Sequence, residues 1–110
     1  MAYLKDDEKL KNAFKNSIYL FGAFEQNKLI GFIRCLGDGE HIIIVQDLIV
    51  DSDYYRQGIG TKLFKSVSEK YKDVRSFCLF TDIHDIRDNE FYKSLGMVKI
   101  EEREIISYIR

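Results

Sequence analysis

The sequence predicts a mixed α/β domain in which a mostly antiparallel central sheet is flanked by helices. Hydrophobic residues make up 45% of the 110 positions, and 8 Phe and 7 Tyr help to fill one packed core. Stretches of strand character joined by short turns come first, and segments with helical spacing of apolar residues follow. We therefore expect the element order α-β-β-β-α-β-α-β-β within a single domain, residues 1–110.

The first half of the chain predicts a short helix followed by a three-stranded meander. Acidic residues open the segment 6–16 and lysines lie towards its end, which suits the helix dipole. β-branched and aromatic residues are frequent in the stretches 18–25, 29–36 and 41–50. Because the loops between these stretches are short, we expect antiparallel pairing.

The pattern then changes from a strand period to a helical period. Apolar residues recur at helical spacing over about 58–72, and a compact apolar strand is predicted at 76–81. Together with the strand at 41–50, these elements should form a right-handed strand-helix-strand unit.

The last third predicts a second helix and two closing strands. The helix is expected from about Arg87 to Leu95, with Gly96 as its C-terminal cap. The segments 97–100 and 104–110 are expected to end the chain as strands.

Composition excludes several classes of partner. Lys and Arg total 17 against 18 Asp and Glu, a formal net charge of −1, so no global positive field attracts nucleic acid or an anionic membrane. Any anion must therefore be bound at a local site. The apolar runs are short and the start of the chain lacks a signal-peptide layout, which predicts a cytoplasmic protein.

Cysteine and acidic residues offer two further chemistries, and neither is favoured. Cys35 and Cys78 lie in separate apolar runs without a CxxC motif, which favours reduced thiols. An acid-rich loop has spacing that could hold a divalent cation, but a solvated helix N-terminus explains its acids more simply, so we expect no metal. Its residues are Asp82, His84, Asp85, Asp88 and Glu90.

Two glycines lie at the joint between the third strand and the long helix. The segment reads Arg56-Gln57-Gly58-Ile59-Gly60-Thr61. Free N–H groups of a first helical turn bind anions, and glycine leaves room for a phosphate to approach. The alternative is an ordinary helix entrance with two turn glycines. The segment matches neither the Walker A loop nor the dinucleotide fingerprint, so it suggests a pyrophosphate group outside a Rossmann fold.

Three motifs resemble the GNAT superfamily of acyl-CoA-dependent N-acetyltransferases. They are Asp47-Leu48-Ile49-Val50, Tyr55-Arg56-Gln57-Gly58-Ile59-Gly60 and Phe91-Tyr92-Lys93-Ser94-Leu95-Gly96-Met97. The second is similar to the family's acyl-CoA loop, Q/R-x-x-G-x-G/A, and the third to its FYxxLGF-like helix ending. The resemblance covers roughly residues 18–100. It implies a GNAT-like fold with acetyl-CoA as the co-substrate.

The resemblance also implies roles for individual residues. The cofactor arm would bind along Leu48, Ile49 and Val50, with main-chain groups of Leu48 and Val50 as partners. The pyrophosphate would bind to main-chain N–H groups of Arg56, Gln57, Gly58, Ile59, Gly60 and Thr61. Tyr92 would be the general acid toward the leaving thiolate, and the alternative for it is a core aromatic.

Several positions depart from the family pattern. Tyr55 stands where the loop has Gln or Arg, and Asp85 where an Asn often contacts the cofactor arm. Ile44 and Gln46 occupy strand positions where some members place a Glu or His base. Asp47 is the nearest carboxylate, but strand alternation points it away from the face of Gln46 unless a bulge re-aims it. We expect Asp47 to be a local hydrogen-bonding residue rather than the base.

The expected activity is acetyl transfer from acetyl-CoA to a primary amine of a small molecule or peptide, by direct attack in a ternary complex. The alternative is a non-catalytic acyl-CoA-binding module. Family members usually begin with a strand and two helices, whereas one helix precedes the first meander strand here. The acceptor wall should therefore be minimal or come from a second subunit, and a homodimer would cover the apolar surface left.

Overall fold

The computed structural model describes residues 7–110, which form two compact units that divide after Phe80. Asp6, the first residue of the predicted first helix, lies outside the described residues, as does the rest of the segment 1–6.

The first unit contains the sheet and two helices. In chain order its elements are α1 (Asp7–Lys15), β1 (Tyr19–Glu25), β2 (Lys28–Gly37), β3 (Ile42–Val50), a 3-10 turn (Ser52–Tyr54), α2 (Ile59–Lys70) and β4 (Ser76–Leu79). The sheet order is β1-β2-β3-β4. The first three strands pair antiparallel and β4 pairs parallel to β3. The predicted fold class and meander are confirmed, and so is the pairing of the two strands that flank α2, which is parallel; the right hand of this unit stays a prediction.

The core of this unit lies between the sheet and α2. Side chains on one face of β2 and of β3 point into this core. Helix α2 contributes the apolar residues that recur at helical spacing. The buried side chains of this core are Ile33, Cys35, Ile43, Val45, Leu63 and Val67. Burial raises the pKa of the Cys35 thiol to about 12, so this cysteine is an inert core residue.

The second unit is built on α3 (Ile86–Ser94), as predicted to within a residue at each end. The Asp85 carboxylate accepts a hydrogen bond from the Asp88 N–H at 2.9 Å and thereby caps the helix. Gly96 follows the helix with a φ of 88°, the left-handed conformation expected of a glycine stop.

The two predicted closing strands, 97–100 and 104–110, are wrong. Ile100–Arg103 instead form a 3-10 turn, which begins at Lys99 as its N-cap. The backbone of Glu104 has a left-handed conformation, with a φ of 61°. Within residues 7–110, which the structure describes, the residues after Glu104 have no strand partner. The side chain of Ile109 is 98% exposed. Local β propensity does not make a strand, because a strand needs a partner to satisfy its backbone groups.

No helix within residues 7–110 is both long and apolar enough to cross a membrane.

Candidate functional site

Strand β3 extends beyond its pairing with β4. The parallel ladder between them runs from Ile42 to Val45 on β3 and ends at Leu79 on β4, whereas β3 continues to Val50. Residues 46–50 therefore lie past the end of the β3–β4 ladder. No strand within residues 7–110 pairs with this edge of β3 beyond Val45, and such an edge suits an extended ligand that adds like a strand.

The alternation of β3 identifies which residues face that edge. The N–H of Asp51 donates to the carbonyl of Ile30 on β2, at 2.8 Å. Because main-chain groups alternate along a strand, Ile49 faces β2 as Asp51 does, and Leu48 and Val50 face the opposite edge. The sequence-predicted positions Leu48, Ile49 and Val50 thus form one continuous half-buried segment.

The loop after β3 is a compact turn held by the β1–β2 hairpin. Asp51 accepts a hydrogen bond from the N–H of Asp53 at 3.0 Å and begins the 3-10 turn. Lys28, at the hairpin, lies 3.8 Å from the Asp51 carboxylate and 5.5 Å from the centre of the Tyr54 ring. A hydrogen bond between Tyr54 and Glu25 raises the pKa of the tyrosine. These contacts fix the start of the segment that leads to α2.

Two left-handed residues complete the turn into α2. Arg56 has a φ of 65° and Gly58 a φ of 79°. Glycine adopts this conformation freely, whereas for arginine it costs of order 1 kcal/mol. Such an outlier beside a helix entrance is a feature of functional turns.

The N-terminus of α2 is open to an anion. Gly58 is the N-cap and supplies no side-chain cap, and the first turn carries no acidic residue. The N–H of Lys62 makes the first intrahelical bond, to the carbonyl of Gly58 at 3.0 Å, so the N–H groups of residues 59–61 precede it. A Cβ added to Gly58 would meet no atom within 4 Å. We call this turn, Arg56–Thr61, the pyrophosphate cradle. Its N–H donors, the positive end of the α2 dipole and the open space at Gly58 fit a pyrophosphate.

A buried ion pair lies on the α1 side of β3. The register passes from the pair Arg34–Asp47 to the pair Cys35–Val45, so Gln46 is the extra residue of a β-bulge. Arg34 Nε donates to Asp47 Oδ2 at 2.6 Å, and the two residues are 4% and 1% exposed. The expected hydrogen-bonding role of Asp47 is confirmed. The exposed Gln46 and half-buried Ile44 beside it offer no titratable group.

Tyr92 lies on α3 in the second unit and is half-buried. Its ring packs edge-on against Phe91, with the ring centres 5.2 Å apart. Burial, followed by the nearby carboxylates of Asp88 and Asp85, raises the pKa of the phenol well above its ordinary value. The raised pKa favours the neutral phenol, which can donate a hydrogen bond.

The sequence profile described as the acetyltransferase (GNAT) family matches residues 2–97. The chain belongs to the GNAT acetyltransferase family. Among curated relatives, the uncharacterized N-acetyltransferase ycf52 of Gracilaria tenuistipitata var. liui is 33% identical over 97 residues, which are 83% of this chain and 52% of that protein. Histone acetyltransferase TAP1 of Glycine max is 32% identical over 74 residues, or 66% of this chain and 31% of that protein. The chain spans about half or less of the length of these relatives.

Solved GNAT structures share the fold. The GNAT family protein SP0256 of Streptococcus pneumoniae TIGR4 superposes with a TM-score of 0.85 at 32% identity, covering 94% of this chain and 77% of that one. The aminoglycoside N-acetyltransferase AAC(6')-Iy, solved in complex with CoA, superposes with a TM-score of 0.73 at 16% identity. It covers 99% of this chain and 88% of that one, and at this identity the likeness concerns the fold alone. The predicted family is confirmed.

Sequence reasoning missed two polar residues of this GNAT chain. Arg34 stands alone within an apolar strand, and an opposite charge within the next strand was the available signal. Asn89 ties the loop before α3: its amide donates to the carbonyls of Asp82 and Asp85, at 3.0 and 2.8 Å, and it accepts from the Thr81 hydroxyl at 2.7 Å. An asparagine among acids carried no recognisable pattern.

The acid-rich loop uses its carboxylates for local hydrogen bonds. Asp82 accepts from the N–H of His84 at 2.8 Å, and Asp85 caps α3. Within residues 7–110, no group of three or more His, Cys, Asp or Glu side chains is arranged to hold a metal ion.

Proposed function

We propose that this chain transfers the acetyl group of acetyl-CoA to a primary amine, by direct attack in a ternary complex. The observation that carries the proposal is the continuous path from the open edge of β3 to the uncapped N-terminus of α2. A strand edge suits the amide-bearing pantetheine arm, and a helix N-terminus suits the pyrophosphate. Acetyl-CoA joins those two groups in one molecule.

The cofactor-binding residues follow from this path. Main-chain groups of Leu48 and Val50 bind the arm, with Ile49 between them. The segment Arg56–Thr61 surrounds the pyrophosphate with N–H groups, and its left-handed Arg56 and Gly58 shape the turn. Gly58 provides open space where a larger residue would project a side chain.

The reaction needs one donor for the carbonyl and one for the sulfur. The N–H of Leu48 polarises the thioester carbonyl and stabilises the tetrahedral oxyanion. The neutral amine nitrogen forms a bond to the carbonyl carbon, the C–S bond breaks, and Tyr92 gives its proton to the departing sulfur. The Tyr92 phenolate then regains a proton from water. The amide nitrogen loses its extra proton to water, because the strand offers Ile44 and Gln46 where a base would stand.

The acceptor is proposed to be a small-molecule or peptide amine. Among proteins similar to this chain, one is named a histone acetyltransferase and others are aminoglycoside acetyltransferases. Residues 1–110 are proposed to act as one domain, since the family match spans both units. Two free thiols, Cys35 and Cys78, support a reducing compartment such as the cytoplasm.

Acetyl-CoA and a panel of primary amines test the proposal, with free thiol as the readout. The panel includes an aminoglycoside, a polyamine and a lysine-containing peptide. Amine-dependent thiol release by the wild type, lost in Gly58→Val, supports the acetyltransferase. Binding of acetyl-CoA without release with any amine would identify the non-catalytic acyl-CoA-binding module instead.

A further inference from the structure

The buried pair Arg34–Asp47 lies directly across the strands at the bulge of β3. Asp47 is the residue before Leu48, whose N–H faces the open edge of the strand. A bulge bends its strand and changes the direction of the groups that follow it. The bend must be held in one geometry if the Leu48 N–H is to point at a thioester.

Arg34 also binds the C-terminal end of α1. Its Nη1 donates to the Ser17 hydroxyl at 3.2 Å and to the carbonyl of Ala13 at 3.4 Å. That carbonyl belongs to the last turn of α1 and also accepts from the Ser17 hydroxyl at 2.7 Å, and the guanidinium charge complements the helix dipole there. One side chain therefore joins α1, β2 and the bulge of β3.

The energetics argue that this pair does more than stabilise the fold. Burying two charges has a high desolvation cost, and replacing a buried pair with apolar residues of similar volume is often neutral or stabilising. The best-attested benefit of such pairs is a unique register. Here the register shift is the bulge itself, between Arg34 and Cys35 on β2.

We infer that Arg34 is a positioning residue for acetyl transfer: through its ion pair with Asp47 it holds the β3 bulge so that the Leu48 N–H is aimed at the thioester carbonyl. The inference rests on the proposed function, which assigns the carbonyl to that N–H. It concerns neither the pyrophosphate cradle nor Tyr92. Loss of the pair should therefore change carbonyl polarisation and kcat while leaving the affinity for acetyl-CoA unchanged.

The test uses the apolar double variant Arg34→Met/Asp47→Leu, in which neither charge is left unpaired. Acetyl-CoA labelled with ¹³C at the acetyl carbonyl reports the thioester C=O stretching frequency when bound. A hydrogen bond from Leu48 lowers this frequency relative to free acetyl-CoA. Arg75→Met is the matched control. Arg75 is exposed, and its substitution replaces arginine with methionine, as in the double variant, but outside the site.

The expected result has three parts. The double variant unfolds at a temperature equal to or above that of the wild type and binds acetyl-CoA with unchanged Kd. Its bound carbonyl band returns toward the free position, and kcat falls roughly ten- to a hundred-fold, as for a weakened oxyanion donor. A folded double variant that keeps the lowered band and the wild-type kcat overturns the inference.

Two further outcomes keep the inference separate from folding and from the proposed function. If the double variant does not fold, Arg34→Lys decides, because lysine keeps the charge opposite Asp47 without the guanidinium fork. The lysine variant should bind acetyl-CoA with unchanged Kd but show a bound band displaced toward the free position, and a folded lysine variant with the wild-type band and kcat overturns the inference. A wild type that binds acetyl-CoA with no lowered band contradicts the proposed role of Leu48, and the inference with it.

Discussion

Arg56 and Gly58 both have a left-handed backbone, with φ values of 65° and 79°, and Gln57 separates them. Gly60, the second glycine of the motif, instead lies in the first turn of α2, which begins at Ile59. The two glycines therefore have different physical roles. Gly58 is favoured by its left-handed conformation, whereas Gly60 can act only through the space that a missing side chain leaves.

We predict that Gly58→Val and Gly60→Val both weaken acetyl-CoA binding by roughly ten-fold or more, or about 1.4 kcal/mol. Gly58→Val should also destabilise the fold by about 1–2 kcal/mol, because the left-handed conformation disfavours a β-branched residue. Calorimetric titration measures the first effect and thermal unfolding the second. Gly96→Val is the control for backbone strain, since Gly96 has a φ of 88° and open space around it. Wild-type affinity in Gly60→Val would show that the cradle is misplaced.

Two substitutions at Arg56 separate its charge from its conformation. Arg56→Ala and Arg56→Gly both remove the cation, so both should weaken acetyl-CoA binding, by less than Gly58→Val and more at low salt than at high salt. Only Arg56→Gly removes the left-handed strain, so it should be more stable than Arg56→Ala by about 0.5–1 kcal/mol. Equal unfolding temperatures for the two variants would contradict the strain at this position.

Tyr92→Phe tests the general acid. The ring and its contact with Phe91 persist, and only the hydroxyl is lost. We expect kcat to fall by roughly ten- to a thousand-fold with little change in acetyl-CoA affinity, because one acid–base group contributes about that much. An unchanged kcat in the presence of the best amine would return Tyr92 to a packing role.

The pH dependence of kcat/KM follows from the same residue. Burial and the nearby Asp88 and Asp85 raise the pKa of Tyr92 above the ordinary tyrosine value of about 10. We therefore expect the phenol to keep its proton at a pH of about 10. The rate should climb with pH toward the pKa of the free amine, because no protein base competes for that role. A descending limb below about pH 10 that disappears in Tyr92→Phe would contradict this assignment.

Cys35 should make the fold sensitive to alkali. Its pKa is raised from 9.0 to about 12 by burial, so the folded chain holds the thiol proton more tightly than the unfolded chain does. This contribution to the free energy of unfolding is complete below pH 9 and is lost as the pH rises from 9 to about 12. Cys35→Ala should be less stable at pH 7 by about 1–3 kcal/mol and should decline less steeply above pH 9. Cys78→Ala, at a half-buried position, is the comparison, and equal alkaline slopes for all three proteins would refute the prediction.

Self-association is predicted from the apolar edge of the sheet. On β1 the side chain of Phe24 is 61% exposed, and Leu20 and Phe21 are exposed on the same strand. A two-fold dimer would cover this surface. Light scattering at micromolar concentration should give twice the mass of the chain, and Phe24→Lys should reduce it to the mass of one chain. A single-chain mass for the wild type refutes the dimer.

The sequence by itself determined the elements whose signals are local. The period of two in the stretches that became β1, β2 and β3 and the helical period that became α2 are properties of neighbouring residues, and the short loops require antiparallel pairing. The glycine motif likewise indicated the helix entrance, because the left-handed φ of Gly58 and Gly96 is a property of residue type. The strands expected at 97–100 and 104–110 failed for the complementary reason, since a strand also depends on a partner.

Only the tertiary structure decided the register of β2 against β3 and what it brings together. Strand alternation alone predicts the face of Asp47 relative to Gln46, but the extra residue of a bulge can lie anywhere along a ladder. The structure places it at Gln46, which sets Arg34 opposite Asp47 and encloses both charges. The two residues of this ion pair are 13 positions apart in the chain, and their side-chain atoms lie 2.6 Å apart. No local sequence pattern predicts that contact. The direction of the Leu48 N–H is decided in the same way, because it depends on where β3 bends and where its pairing with β4 ends.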